Sequence, residues 1–126
     1  MSAGPLSEAH VRSGKVMTVA GPVAASDLGM TLMHEHVLND CLCWWHKPKE
    51  PERQYLAGGF VCMEILSELR QDPFVNRHNI TLDDEAMAIK ELAQFAAIGG
   101  RTLVEPTCQG IGRDPLAMRR VSQATG

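Results

Sequence analysis

The sequence predicts an α/β fold built from βαβ units around a parallel sheet. Two apolar stretches read as strands, residues 30–37 (MTLMHEHV) and 101–107 (RTLVEPT). Segments with helical spacing lie between them, and another helix follows the second strand. Strands that alternate with helices pair in parallel through crossover connections.

Each element has its own local warrant. Residues 15–23 (KVMTVAGPV) alternate in the manner of a short strand that Gly21-Pro22 would stop. Residues 25–30 (ASDLGM) read as a turn. The strand at 30–37 is apolar on both faces, as expected of one buried on both sides. Residues 39–59 form a long polar connection with two tryptophans and two prolines, and a loop of that length in a compact domain is usually functional. Val61, Ile65, Leu66 and Leu69 then fall at helical spacing, and Pro73 stops that helix. In the next helix Ile89, Leu92, Phe95 and Ala96 make one face. Thr81 or Asp83 is placed to cap it, Asp83, Asp84 and Glu85 suit its positive end, and Gly99-Gly100 ends it. After the strand at 101–107 comes a turn, GIGRDP, and then a last helix. Asp114 would cap that helix with Pro115 in its first turn, Leu116 and Val121 would anchor it, and Gly126 would follow it. Met87 and Phe95 are further core candidates. Two strands alone cannot cover the faces and edges of a parallel sheet, so the architecture reads as unfinished.

Composition narrows the function. A chain of 126 residues with 44% hydrophobic and 21% charged residues can bury a core as one domain. The net charge of −3, with no basic block, gives nucleic-acid binding no support. No run of about 18 apolar residues is present, so no membrane span is expected. The first 14 residues are small and polar, read as a loose leader, and carry no apolar secretory core. Cys41, Cys43, Cys62 and Cys108 accordingly read as reduced thiols of a cytoplasmic protein.

The segment TLMHEHVL, residues 31–38, carries the chemistry. On a strand, residues two apart share a face, so His34 and His36 project together and Glu35 points away. Two neutral imidazoles on one face can share a divalent ion, and imidazole suits zinc and its first-row neighbours. The residues alone leave two readings open, packed histidines or metal ligands. Their position, where an apolar strand meets a long loop, favours the second, because sites in α/β folds gather at strand C-termini. A different class of answer is a non-catalytic zinc-binding or interaction module that uses Cys41, Cys43 and His46 with His36. The C-x-C spacing is tighter than structural zinc sites usually have. Trp44-Trp45 would either line a cleft or cover core. Glu105 reads as a local hydrogen-bond partner that could also face the site, KPKEPER as a solvated stretch, and Arg113-Asp114 as a turn and cap.

Three motifs, GKVMTVAGPV, DLGMTLMHEHVLND and GGRTLVEPTCQGIGRDP, in this order and spacing, resemble the N-terminal part of the phosphotriesterase family of metal-dependent amidohydrolases. CWWHKPKEPERQYL resembles its phosphotriesterase-related members. The resemblance runs from about Lys15 to Gly126 and implies the N-terminal portion of a (β/α)₈ TIM barrel, incomplete in this chain, since such a barrel needs about 250 residues. It implies that residues 15–126 hold the first two barrel strands and their helices. His34 and His36 would end the first strand and bind the more buried of two divalent metals, most simply zinc.

A complete member would hydrolyse a phosphotriester, a lactone or a related ester of a small molecule through a metal-bound hydroxide. The family's remaining ligands and its water-orienting acid match no position here. No catalytic residue is therefore carried over, and no metal role falls to His10, His46 or His78. The chain alone is expected to be an inactive segment. A third possibility is a complete, non-catalytic half that pairs through exposed strand edges with itself, as a homodimer, or with another chain.

Overall fold

The computed structural model describes residues 14–126. The expected leader lies outside the described residues but for Gly14, whose carbonyl accepts the Ala25 N–H at 2.8 Å. His10 lies outside them too.

The chain begins with a hairpin. Strands β1 (Lys15–Thr18) and β2 (Gly21–Ala24) pair antiparallel, with Thr18 opposite Gly21. Gly21-Pro22 therefore opens a second strand and does not stop the first. The turn is set by Thr18, whose hydroxyl donates to the Gly21 carbonyl at 2.7 Å and accepts the Ala20 N–H at 3.2 Å.

The predicted parallel pair is present. Strand β3 (Met30–Leu32) lies beside β6 (Gly100–Leu103), with Thr31 opposite Thr102 and Leu32 opposite Leu103. Both strands are shorter than their apolar stretches. Beyond Leu32 the pairing is irregular: the Val104 N–H donates to the Leu32 carbonyl at 2.8 Å, and the Val104 carbonyl accepts from the Glu35 N–H at 3.1 Å. Met33 and His34 thus both stand opposite Val104, one residue more than a regular parallel ladder allows. Such a bulge bends the strand locally, and bulges recur beside functional sites.

The long connection is more structured than its composition suggests. It opens with β4 (Asn39–Asp40), which pairs antiparallel with β5 (Thr81–Leu82). It continues through two 3₁₀ segments, Leu42–Trp44 and Pro51–Ala57. The second buries Leu56, which joins Leu69 and Val75 in the main apolar cluster, with Val61 and Ile65 packed against it. Helix α1 spans only Leu66–Gln71, after a 3₁₀ turn at Met63–Ile65, because the chain is extended at Cys62.

Helix α2 (Glu85–Ala97) is capped by Asp84, whose carboxylate accepts the Met87 N–H at 3.0 Å. Neither Thr81 nor Asp83 caps it: Thr81 is held in β5 and donates its hydroxyl to the Arg77 carbonyl at 2.9 Å. Ile89, Leu92 and Phe95 are half-buried, whereas Ala96 is exposed and Met87 is 51% exposed. The helix leaves through Gly99, at φ +94°, a left-handed conformation that glycine adopts without strain. Gly100 lies under the Phe95 ring, and a Cβ there would fall 2.4 Å from ring carbons. Helix α3 (Pro115–Thr125) is capped by Asp114, as its sequence predicts, and ends at Gly126. It is anchored by Ala117 and Val121, four residues apart on one face. Leu116, one position off that face, is 68% exposed. Among the described residues, no helix is long and apolar enough to cross a membrane.

Candidate metal centre

His34 and His36 follow β3 at its C-terminal end, on the bulge and just beyond it. Their rings meet edge to face, with centroids 5.4 Å apart and planes at 78°. Strand alternation alone would bring them to one side; here the chain bends at Met33 and His34, and the two rings still meet. His36 Nδ1 is 2.8 Å from the Thr107 hydroxyl and 3.6 Å from Glu105 Oε1. Glu105 and Thr107 both lie just past β6, so the parallel pairing of β3 with β6 is what assembles this cluster. Glu105 Oε1 accepts the Thr107 N–H at 3.2 Å and also the Thr107 hydroxyl. Glu105 is thus a local hydrogen-bond partner and at the same time faces His36. Thr107 is 3% exposed, and sequence reasoning passed over it. The signal available was its position two residues after Glu105, on the strand that pairs with the His-x-His strand.

The donor chemistry fits a divalent metal in part. Two imidazoles lie side by side, and the Thr107 contact on Nδ1 of His36 leaves Nε2 as its free nitrogen. A catalytic zinc takes about three protein ligands, and among the described residues no group of three or more His, Cys, Asp or Glu side chains converges to hold an ion. The pair is therefore a partial ligand set.

The cysteine alternative is not assembled. His46 turns to Asp72, with Nε2 3.1 Å from Oδ2, and its N–H bonds to the Phe74 carbonyl. His36 turns to Thr107. All four cysteines are free thiols. Burial, reinforced by neighbouring Cys43, Asp40 and Cys108, pushes the Cys41 thiol above its ordinary pKa, which works against a thiolate ligand. His78 accepts the Val61 N–H at 3.2 Å and meets Phe60 edge-on.

A largely apolar cleft of about 760 Å³ opens beside Glu35 and His36 and is lined further by Arg77, Leu82, Met87 and Leu92. Neither tryptophan lines it. Trp45 is tied down by its Nε1–H to the Val75 carbonyl at 3.1 Å, under the Arg77 guanidinium at 4.1 Å. Trp44 packs edge-on against Phe74 and is 55% exposed.

Comparison with known proteins adds to this geometry. The sequence model of the phosphotriesterase family matches residues 14–126. The chain belongs to the phosphotriesterase family. Among relatives in this family, an N-acetyltaurine hydrolase of Dictyostelium discoideum is 38% identical over 89% of this chain and 36% of its own length. A phosphotriesterase-related protein of Nematostella vectensis is 37% identical over 90% of this chain and 33% of its own. A crystal structure of a resiniferatoxin-binding protein from Rhodobacter sphaeroides superposes with a TM-score of 0.88 at 64% identity, covering 98% of this chain and 35% of that one. The chain spans about a third of the length of the relatives it matches. The α/β architecture described above is thus that of a member of a hydrolase family.

Proposed function

We propose that this chain is the first part of a metal-dependent hydrolase with a (β/α)₈ barrel, residues 15–126 providing its first two barrel strands. In this reading β3 and β6 are those strands, and His34 and His36 are two of the ligands of a divalent metal centre, most simply zinc. One observation carries the reading: the two imidazoles stand together at the C-terminal end of a strand in a parallel pair, where barrel enzymes build their sites. A bound divalent metal supplies Lewis acidity and an acidified water at such a site. This chain's own residues would hold the metal through His34 and His36, with Thr107 orienting His36. The residues that complete the ligand set and orient the attacking water lie elsewhere in the assembled protein.

The substrate class is a small molecule with a hydrolysable acyl or phosphoryl bond. The candidates that the family's chemistry sets, a phosphotriester, a lactone or another ester, are widened by the relatives named for N-acetyltaurine to include an N-acyl amide. A second reading, binding of a bulky ligand without turnover, is favoured by the apolar cleft beside His36 and by the relative named for resiniferatoxin binding.

The test is hydrolysis by the native protein purified from its source cells, assayed on an aryl dialkyl phosphate, a lactone and N-acetyltaurine. Turnover of at least one, abolished by a chelator, restored by zinc, and lost in His34→Asn and His36→Asn, is expected. Chelator-resistant turnover, or full activity in both variants, would overturn the reading; tight binding with no turnover of any of them would favour the second.

A further inference from the structure

We infer that Glu105 and Thr107 form a hydrogen-bonded relay that fixes the tautomer and orientation of the His36 ring, keeping a proton on Nδ1 and the lone pair on Nε2. The geometry stands independently of any metal; its value for ligation rests on the function proposed above.

The Thr107 hydroxyl has one hydrogen to give and two lone pairs. Around its buried oxygen stand His36 Nδ1 at 2.8 Å, Glu105 Oε1, and the Leu38 carbonyl at 3.3 Å. The carboxylate and the carbonyl can only accept. A carboxylate is a stronger acceptor than a carbonyl, so Glu105 takes the hydroxyl hydrogen. A lone pair of the hydroxyl oxygen then faces Nδ1, and Nδ1 must donate to it. The opposite tautomer would need the hydroxyl to donate to Nδ1. The Glu105 oxygen would then press against the hydroxyl oxygen with no hydrogen between them. Glu105 is itself held, because Oε1 also accepts the Thr107 N–H at 3.2 Å.

A neutral imidazole protonated at Nδ1 carries its lone pair on Nε2. Histidine ligands to metals usually have their second nitrogen donating to an oxygen partner, and removing that partner typically weakens metal binding about 10–100-fold. Here the partner is a threonine hydroxyl, and the carboxylate acts through it. Glu105 and Thr107 are therefore positioning residues, contributed by the segment just past β6, as the histidines are by the segment just past its partner β3.

Long-range proton–nitrogen correlation spectra of the histidine side chains, recorded on metal-free protein above the ordinary imidazole pKa of about 6.5, read the tautomer directly. His36 is expected in a single form with Nδ1 protonated. Thr107→Val should release it to the averaged or Nε2-protonated form, and Thr107→Ser, which keeps the hydroxyl, should restore it. Zinc affinity should fall about 10–100-fold in Thr107→Val and recover in Thr107→Ser. A wild-type His36 that is Nε2-protonated, or that averages both forms for any reason including an unfolded chain, overturns the inference. So does a Thr107→Val spectrum identical to wild type. If the tautomer behaves as expected while His34→Asn and His36→Asn leave zinc binding unchanged, the relay stands and the proposed metal centre falls.

Discussion

Asn76 is fully buried, and both ends of its amide are used. Its Nδ2 donates to the carbonyls of Leu56 at 2.8 Å and Gly59 at 3.3 Å, and its Oδ1 accepts the Asn79 N–H at 2.8 Å. It therefore pins the 3₁₀ segment that carries Leu56 to the turn before β5. Asn76→Ala would strand these groups without partners, and we expect a loss of about 1–3 kcal/mol, measured by urea denaturation. The Cys41 thiol offers a second prediction. Its pKa is raised, and the thiolate is the reacting form, so Cys41 should be the last of the four cysteines to alkylate at mildly basic pH, read by peptide mass spectrometry. At this scale the sequence was partly legible. His34 and His36 stood out because their spacing and placement have a chemical use. Asn76 and Thr107 did not, because their roles join a near neighbour to partners 17 to 71 residues away in the chain. Glu105 was readable as a local partner that could also face the site, but its approach to His36 in particular requires the strand pairing to be known.

At the scale of elements, helix ends were easier to read than strand ends. Asp114 and Gly126 bracket α3 as their residue types predict, because capping is a local matter of backbone groups needing partners. Asp114 accepts the N–H groups of both Leu116 and Ala117 at 3.0 Å. Asp114→Ala should therefore cost about 1 kcal/mol of stability, seen as a lowered thermal midpoint. The strand at 30–37 was over-read, because apolar patterning says which residues want burial but not where a ladder takes in an extra residue. The anchor of α3 was displaced for a related reason: Leu116 is the larger apolar group, but Ala117 and Val121 share the buried face.

The packing of α2 on α3 carries an ion pair that sequence could not join, Glu85 with Arg120. The Arg120 hydrogen bonds hold the Glu85 carboxyl below its ordinary pKa. A carboxyl depressed in the folded state favours folding above its unfolded pKa of about 4.3, and that contribution disappears as pH falls through the folded value. Glu85→Gln should thus lower the thermal midpoint slightly at neutral pH and make no difference in strong acid. The effect is small, because the pair is exposed.

At the scale of the whole molecule, the apolar surface is the main fact. Buried apolar residues are few, while Met30, Leu82, Met87, Val104 and Leu116 remain exposed on or beside the strands and helices. The parallel pairing of β3 and β6 was legible from βαβ order, and so was its insufficiency, since two strands cannot bury their own faces. The proposed barrel accounts for both, and the chain's share of its relatives, about a third, is consistent with it. The prediction at this scale is that purified 126-residue chain hydrolyses none of the three test substrates, even with zinc added, because it supplies only two histidine ligands.

The central claim is that His34 and His36, and not the cysteines, hold the metal. The absorption spectrum of the cobalt(II)-substituted native protein tests it most directly. The account predicts weak visible bands from nitrogen and oxygen ligation, no intense thiolate charge-transfer band, and loss of the spectrum in His34→Asn and His36→Asn. An intense charge-transfer band that disappears in Cys41→Ser or Cys43→Ser and survives both histidine substitutions would contradict it.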